Sequence, residues 1–377
     1  MPIRVLHVID SFNQSSGVSS VVMNFYNHLD HNKVTFDFIV HDDTPLAYRK
    51  VIEERGSKIY QMPKLKYKNV IFYYNCLKAF FTEHPEYQII HGHIANAALF
   101  YLGMAKRFKV PYRIIHSHNS SGADNRIKRI RNYFLNLPIK WVANHYMACS
   151  DKAASFLFGS RLIKENKVLK LPNAIEIRNY IYNDSTRQLI RRRLELNDKL
   201  VIGHVGRFCK QKNHSFLVDI FKEVHQRNAN AVLILIGTGE DETAIKDKVQ
   251  KLKLSNAIFF LGARTDVNEL MQGMDIFVLP SLFEGLPVVG IEAQASNLKC
   301  FFSSTISSEA AVTDRVEFIN LSCSPKEWGE RILNFDYKYQ RDQPQNHLID
   351  SEFDIYNEVK ILEQYYTGLL TKRDVAV

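Results

Sequence analysis

The sequence predicts an α/β protein of two doubly wound parallel sheets, and three observations carry that prediction. The chain has 377 residues, more than a single hydrophobic core usually organises, so two domains are expected. Short β-branched and aromatic runs alternate with helical patterns, the arrangement that produces parallel strands joined by crossover helices. The same alternation then restarts in the second half.

In the first half the runs Ile3–Ile9, Val34–Val40, Ile89–His91, Tyr112–His116 and Tyr146–Cys149 read as buried strands. In the second, Leu200–Val205, Val232–Ile236, Ile258–Leu261, Ile276–Leu279 and Cys300–Ser303 form another set. Leu171-Pro172-Asn173-Ala174 closes a strand with turn chemistry, which places the hinge near residue 173. The expected domains are 1–173 and 174–351. Residues 352–370 repeat apolar side chains at helical spacing and predict a terminal amphipathic helix, with 352–377 packing back on the first domain.

Composition narrows the function classes. With 46% hydrophobic and 24% charged residues the chain can build cores and is not disordered. No apolar run approaches the ~20 residues that span a bilayer. Ile3–Ile9 reads as a first strand and not as a signal peptide, so a cytoplasmic protein is expected. Five cysteines stand singly, without Cys-x-x-Cys spacing, which predicts free thiols and no zinc motif. The formal net charge of +9 asks for an anionic partner.

Ligands of doubly wound sheets sit beyond the carboxyl ends of the strands, so the chemistry is sought in those loops. After Ile276–Leu279 comes Phe283-Glu284-Gly285-Leu286-Pro287-Val288-Val289-Gly290-Ile291-Glu292. Its two carboxylates have seven residues between them. With Glu284 in the loop and Glu292 about two turns into the helix, both would face one side and could accept hydrogen bonds from vicinal hydroxyls of ribose and sugar rings. Gly285 would let backbone N–H groups approach a phosphate. As an isolated pair, two glutamates near a helix start would be capping and solvated charges; it is the surrounding block that argues otherwise.

That block, from Asp275 to Glu292, resembles the signature of the family-4 retaining glycosyltransferases. The resemblance implies the GT-B fold: two Rossmann-like domains facing a central cleft, the second holding a nucleotide sugar and the first an acceptor. It further implies that Glu284 binds hydroxyls of the transferred sugar, Glu292 the ribose, and the backbone of Gly285 and Leu286 the donor. His204-Val205-Gly206-Arg207, followed by Lys212, is similar to the same family's diphosphate site, which gives Arg207 and Lys212 to the diphosphate and brings the Gly206 backbone close to it.

Other loops fit the same pattern. Gly237-Thr238-Gly239 resembles the family's short glycine turn near base and phosphate; as a dinucleotide fingerprint it fails, because Glu242 stands where the third glycine belongs. Ser16-Gly17 follows the first strand where the family has a glycine pair, so only Gly17 matches. In Ile114-Ile115-His116-Ser117-His118, His118 aligns with the family's strand-end histidine and is expected on the donor sugar, with His116 a further substrate contact. Asn173 is the better candidate of its turn for a ligand contact.

Residues 126–140 carry Arg126, Lys128, Arg129, Arg131 and Lys140 among apolar residues at helical steps, a pattern suited either to a core stripe with solvated cations or to an anionic bilayer surface. No nucleic-acid reader motif accompanies it. Without a convincing Asp-x-Asp loop, no cofactor and no essential divalent metal are expected. The resemblance therefore implies a retaining transfer from a nucleotide sugar, UDP-linked by family weight, to a lipid-linked saccharide of surface polysaccharide synthesis. A sugar-nucleotide epimerase and a non-catalytic membrane-associated binding protein remain as alternatives.

Overall fold

The computed structural model describes residues 2–12, 17–118, 131–132, 134–336, 341 and 347–371. It divides into two compact units, one taking the chain to Ala174 and again from Ile355, the other Ile175–Asp354. Among the described residues no helix is long and apolar enough to cross a membrane. All five cysteines are free thiols.

The first unit is built on seven parallel strands: β1 (Ile3–Val8), β2 (Val34–Val40), β3 (Ile59–Gln61), β4 (Ile89–Gly92), β5 (Tyr112–Ser117), β6 (His145–Ala148) and β7 (Val168–Lys170). Their order is β3-β2-β1-β4-β5-β6-β7, so the winding reverses between β1 and β4. All seven side chains of β2 are buried, as expected of a central strand covered by helices on both faces. The one acid in that strand, Asp37, accepts from Arg4 Nε at 2.7 Å, the Lys58 backbone N–H at 2.7 Å and the Tyr87 hydroxyl at 2.8 Å. Arg4, the cation inside the first apolar run, is thus the partner that a buried carboxylate requires.

The terminal helix Ile355–Thr371 packs on the helix Gly17–His28 of the same unit. Glu363 accepts from the Asp30 backbone N–H at 2.7 Å, and the Tyr365 and Tyr366 hydroxyls meet His145 Nδ1 at 2.8 Å and His91 Nδ1 at 2.6 Å.

The second unit has six parallel strands: β8 (Leu200–Val205), β9 (Ala231–Ile236), β10 (Ile258–Phe260), β11 (Ile276–Leu279), β12 (Lys299–Ser303) and β13 (Val316–Ile319). The order β10-β9-β8-β11-β12-β13 reverses between β8 and β11. Leu200, Leu233, Ile276, Val278 and Phe301 pack with Trp328 and the helix His214–Arg227 into one core. Asp275, at the entrance to β11, is buried against Arg187 and Arg191 and caps the Val201 N–H at 2.8 Å. This acid of the signature block is therefore structural.

Candidate active site

The reversal between β8 and β11 is the place where loops on either side diverge and leave a crevice. Two loops meet there. The one after β8 runs through Gly206 and Arg207 into the 3-10 turn Lys210–Lys212; the one after β11 runs from Pro280 to Pro287 and enters the helix Val288–Ala295. They are laced together by Leu282 N–H donating to the Gln211 carbonyl (2.8 Å), Asn213 Nδ2 to the Pro280 carbonyl (3.1 Å) and Gln211 Nε2 to the Phe283 carbonyl (3.0 Å). Asn213 sits in the left-handed region at φ 58°, which turns the chain into the helix His214–Arg227.

Within this frame Lys212 Nζ lies 2.7 Å from Glu284 Oε1, with both side chains largely covered. Gln211 Nε2 donates to the other oxygen of Glu284 at 3.2 Å. The Lys212 stem runs over Gly206, where a Cβ would stand 3.1 Å from it. Beneath lie His204, whose Nδ1 meets the Val278 carbonyl at 2.8 Å, and His214; burial, reinforced by the Lys212 charge, pushes them down to about 4 and about 2. Both are neutral supports for the cation above them.

Glu292 approaches from the helix. Burial pushes its carboxyl up to about 7, against the opposing pull of the Tyr180 hydroxyl, which donates to it at 2.8 Å, and of the Lys212 charge. One lysine thus acts on both glutamates of the motif. Glu292 is the fifth residue of the helix, a little over one turn in and not two, because the backbone stays extended through Pro287 before the helix begins.

Arg207 does not join this group: its guanidinium lies at the rim, half exposed, 2.8 Å from Glu240. Gly237 is held at φ +136°, and a Cβ there would come within 2.2 Å of the Gly206 carbonyl, so only glycine lets the loops after β8 and β9 touch. Gly285 and Leu286 are buried in the loop after β11.

At the corresponding reversal of the first unit, between β1 and β4, five imidazoles pack together. His7 Nδ1 is 3.0 Å from His93 Nε2, and His93 Nδ1 is 2.8 Å from His118 Nε2. His116 and His118 stack at 4.1 Å between ring centres, with His91 and His93 at 4.5 Å. His116 is sealed at 2% exposure, so of the expected pair His118 is the one that reaches the surface, with Asn173 beside it. Gly17 opens the helix Gly17–His28 with free space around it; Asn13–Ser16 lie outside the described residues. So does most of the basic segment, 126–130 and 133; of its remainder, Phe134, Leu137 and Trp141 are exposed at 64%, 43% and 71%.

Five participants were not anticipated: Gln211, Tyr180, His7, His91 and His93. Nothing in local sequence announces the first two. The last had a signal, since His91-Gly92-His93 ends a strand with the same two-residue period as His116-Ser117-His118, and residues two apart share one face.

Known proteins resemble this chain in sequence and in fold. The family described as "Glycosyl transferases group 1" matches residues 186–335, and "Glycosyltransferase Family 4" matches residues 15–179. EpsF of Bacillus subtilis (strain 168), whose own name marks its glycosyltransferase activity as inferred, is 32% identical over 87% of this chain and 86% of its own length. The UDP-Gal:alpha-D-GlcNAc-diphosphoundecaprenol alpha-1,3-galactosyltransferase of Escherichia coli is 25% identical over 63% of this chain and 62% of its own. Anabaena Alr3699/HepE, crystallised with UDP and glucose, superposes with a TM-score of 0.79 at 14% identity, covering 97% of this chain and 99% of that one.

Proposed function

The chain belongs to the glycosyltransferases of the group 1 and family 4 type, with the GT-B fold, and on that footing we propose that it transfers a sugar, with retention of configuration, from a UDP-sugar to a lipid-linked saccharide during surface polysaccharide synthesis. The observation that carries the reading is the group of Lys212, Glu284 and Glu292 at the β8/β11 reversal. A cation beside two hydrogen-bond acceptors is what a donor made of diphosphate, ribose and hexose requires. The names of the Escherichia coli relative and of the UDP-bound Anabaena structure support the choice of acceptor and base.

In this reading Lys212 leaves Glu284 for the diphosphate as the donor enters. Arg207 swings from Glu240 to share the charge, and backbone N–H groups of Gly206, Gly237, Gly285 and Leu286 complete the anion site. Glu284 then accepts from sugar hydroxyls and Glu292 from the ribose. In the first unit the same assignment gives ligand contacts to Gly17, His118 and Asn173, while His116, expected as a further contact, is sealed beneath His118 and does not reach a ligand. As the anomeric carbon–oxygen bond breaks, its electron pair stays on the departing diphosphate, where Lys212 and Arg207 stabilise it. The acceptor hydroxyl bonds the anomeric carbon on the same face and yields its proton to the departing phosphate oxygen. No enzyme nucleophile is needed.

A panel of nucleotide sugars tests the donor class. A ligand at ten times its Kd stabilises the native state by ~1.4 kcal/mol, so the true donor should raise the melting temperature above its competitors. A flat panel would count against the proposal. Epimerised donor accumulating without acceptor would replace it with the epimerase alternative.

We further propose that the first unit docks on an anionic leaflet through Phe134, Leu137 and Trp141, flanked by exposed Arg131 and Lys140. Sedimentation with anionic vesicles is expected at low salt and should weaken at high salt. Absence of binding at both would remove the membrane from the account.

A further inference from the structure

The transfer proposed above uses His118 as a ligand contact and gives no task to His7, His91, His93 and His116. Burying five imidazoles together is costly unless something satisfies them. His116 is the clearest case: the Leu171 backbone acts on it as a hydrogen-bonding neighbour, yet neither ring nitrogen has a partner of good geometry among the described residues. A buried polar group left without a good partner destabilises the fold. Among the described residues no carboxylate belongs to the cluster.

The donor atoms converge. One ring nitrogen from each of His93, His116 and His118 lies within 4.8 Å of the others. His93 and His118 are partly covered, whereas His116 is buried. A neutral imidazole is the form that offers a lone pair to a metal.

The surroundings also orient the ligands. If His93 turns the Nδ1 lone pair toward the group, its proton sits on Nε2 and is donated to His7 Nδ1, 3.0 Å away. This is the outer partner that metal-ligating imidazoles generally have. The 2.8 Å between His93 Nδ1 and His118 Nε2 is bridged by a single proton. A metal in its place, with bonds of ~2.0–2.1 Å in a tetrahedron, needs a ligand–ligand edge of roughly 3.3 Å, an opening of about half an ångström. An all-imidazole set selects zinc, cobalt, nickel or copper over magnesium and calcium.

We propose that His93, His116 and His118 form a site for a borderline transition-metal dication, bound through three imidazole nitrogens. The site shares His118 with the transfer proposed above, but it is argued from the three imidazoles alone and stands whether or not that transfer is correct.

Titrating the full-length protein with Co2+ tests this directly. One equivalent should bind with the visible d–d bands of a tetrahedral, nitrogen-rich centre, and Zn2+ should displace it. His93→Asn and His116→Asn should each weaken binding by ~100-fold or more, since even outer partners of metal ligands are worth ~10–100-fold. Wild-type protein without those bands, or with an affinity unchanged in His93→Asn, would overturn the proposal. Should a variant fail to fold, anomalous scattering from Zn2+-soaked wild-type crystals decides: a peak bonded to the three imidazoles supports the site, and a peak elsewhere or none rejects it.

Discussion

Replacing Lys212 by alanine is expected to lower kcat/KM for sugar transfer by about 10²–10³-fold, with most of the loss in kcat. Removing one preorganised group aimed at developing charge typically costs that much, or about 3–4 kcal/mol of barrier. Here the lysine sits in a covered position, its ammonium 2.7 Å from Glu284 and its field felt at Glu292, His204 and His214. The charge on the departing diphosphate exceeds that of the bound donor, so the loss should fall on turnover more than on KM. Steady-state kinetics with the preferred donor, alongside a melting curve to confirm folding, measure it. If a folded Lys212→Ala protein turns over near the wild-type rate, the diphosphate is not bound where we place it. Arg207→Ala should lose less, because that side chain is half exposed and paired to Glu240 at the rim.

The second large effect concerns Glu292 and pH. A carboxyl raised from 4.5 to about 7 binds its proton more tightly in the folded chain than in the unfolded one. Its contribution is therefore complete below pH ~4.5, declines as the pH climbs, and is gone above ~7, where the native state must hold a partly desolvated carboxylate. The span corresponds to at most about 3 kcal/mol. Glu292→Gln should consequently melt higher than wild type at pH 8, by a margin that shrinks toward pH 5, while binding donor more weakly. A melting-point gap that widens on acidification would contradict this assignment. The opposing signs of stability and binding are what a site residue should show, because the cost of burying the carboxylate is offset only when ribose hydroxyls arrive.

How much of this was readable beforehand depended on the range of the interactions involved. Val34–Val40, Leu200–Val205 and Ile276–Leu279 emerge at the bounds expected, since a run dominated by β-branched, aromatic and other apolar residues is buried on both faces in a parallel sheet, even where Asp37 or His204 interrupts it. The short strands Ile59–Gln61 and Val316–Ile319 were missed; they lie at sheet edges, are only partly covered and carry no period. The paired glutamates and the cations after β8 announced themselves by spacing. Tyr180 could not, because its contact with Glu292 spans 112 residues and depends on how the turn Ile177–Tyr180 packs against the helix Val288–Ala295. Gln211 is a similar case: one amide ties together two loops that are 72 residues apart.

The chain leaves the first unit at Ala174 and re-enters it at Ile355, so the second unit is one uninterrupted stretch inserted into a first unit that is not. During synthesis the ribosome therefore delivers every residue of the inserted stretch before it releases the last helix of the host. Until then Asp30 lacks its Glu363 cap, and His91 and His145 lack the tyrosine hydroxyls that will meet them. The unit opened before the insertion is completed only after it, and a ribosome that stalls before codon 355 leaves the histidine-bearing half incomplete beside a fully translated partner.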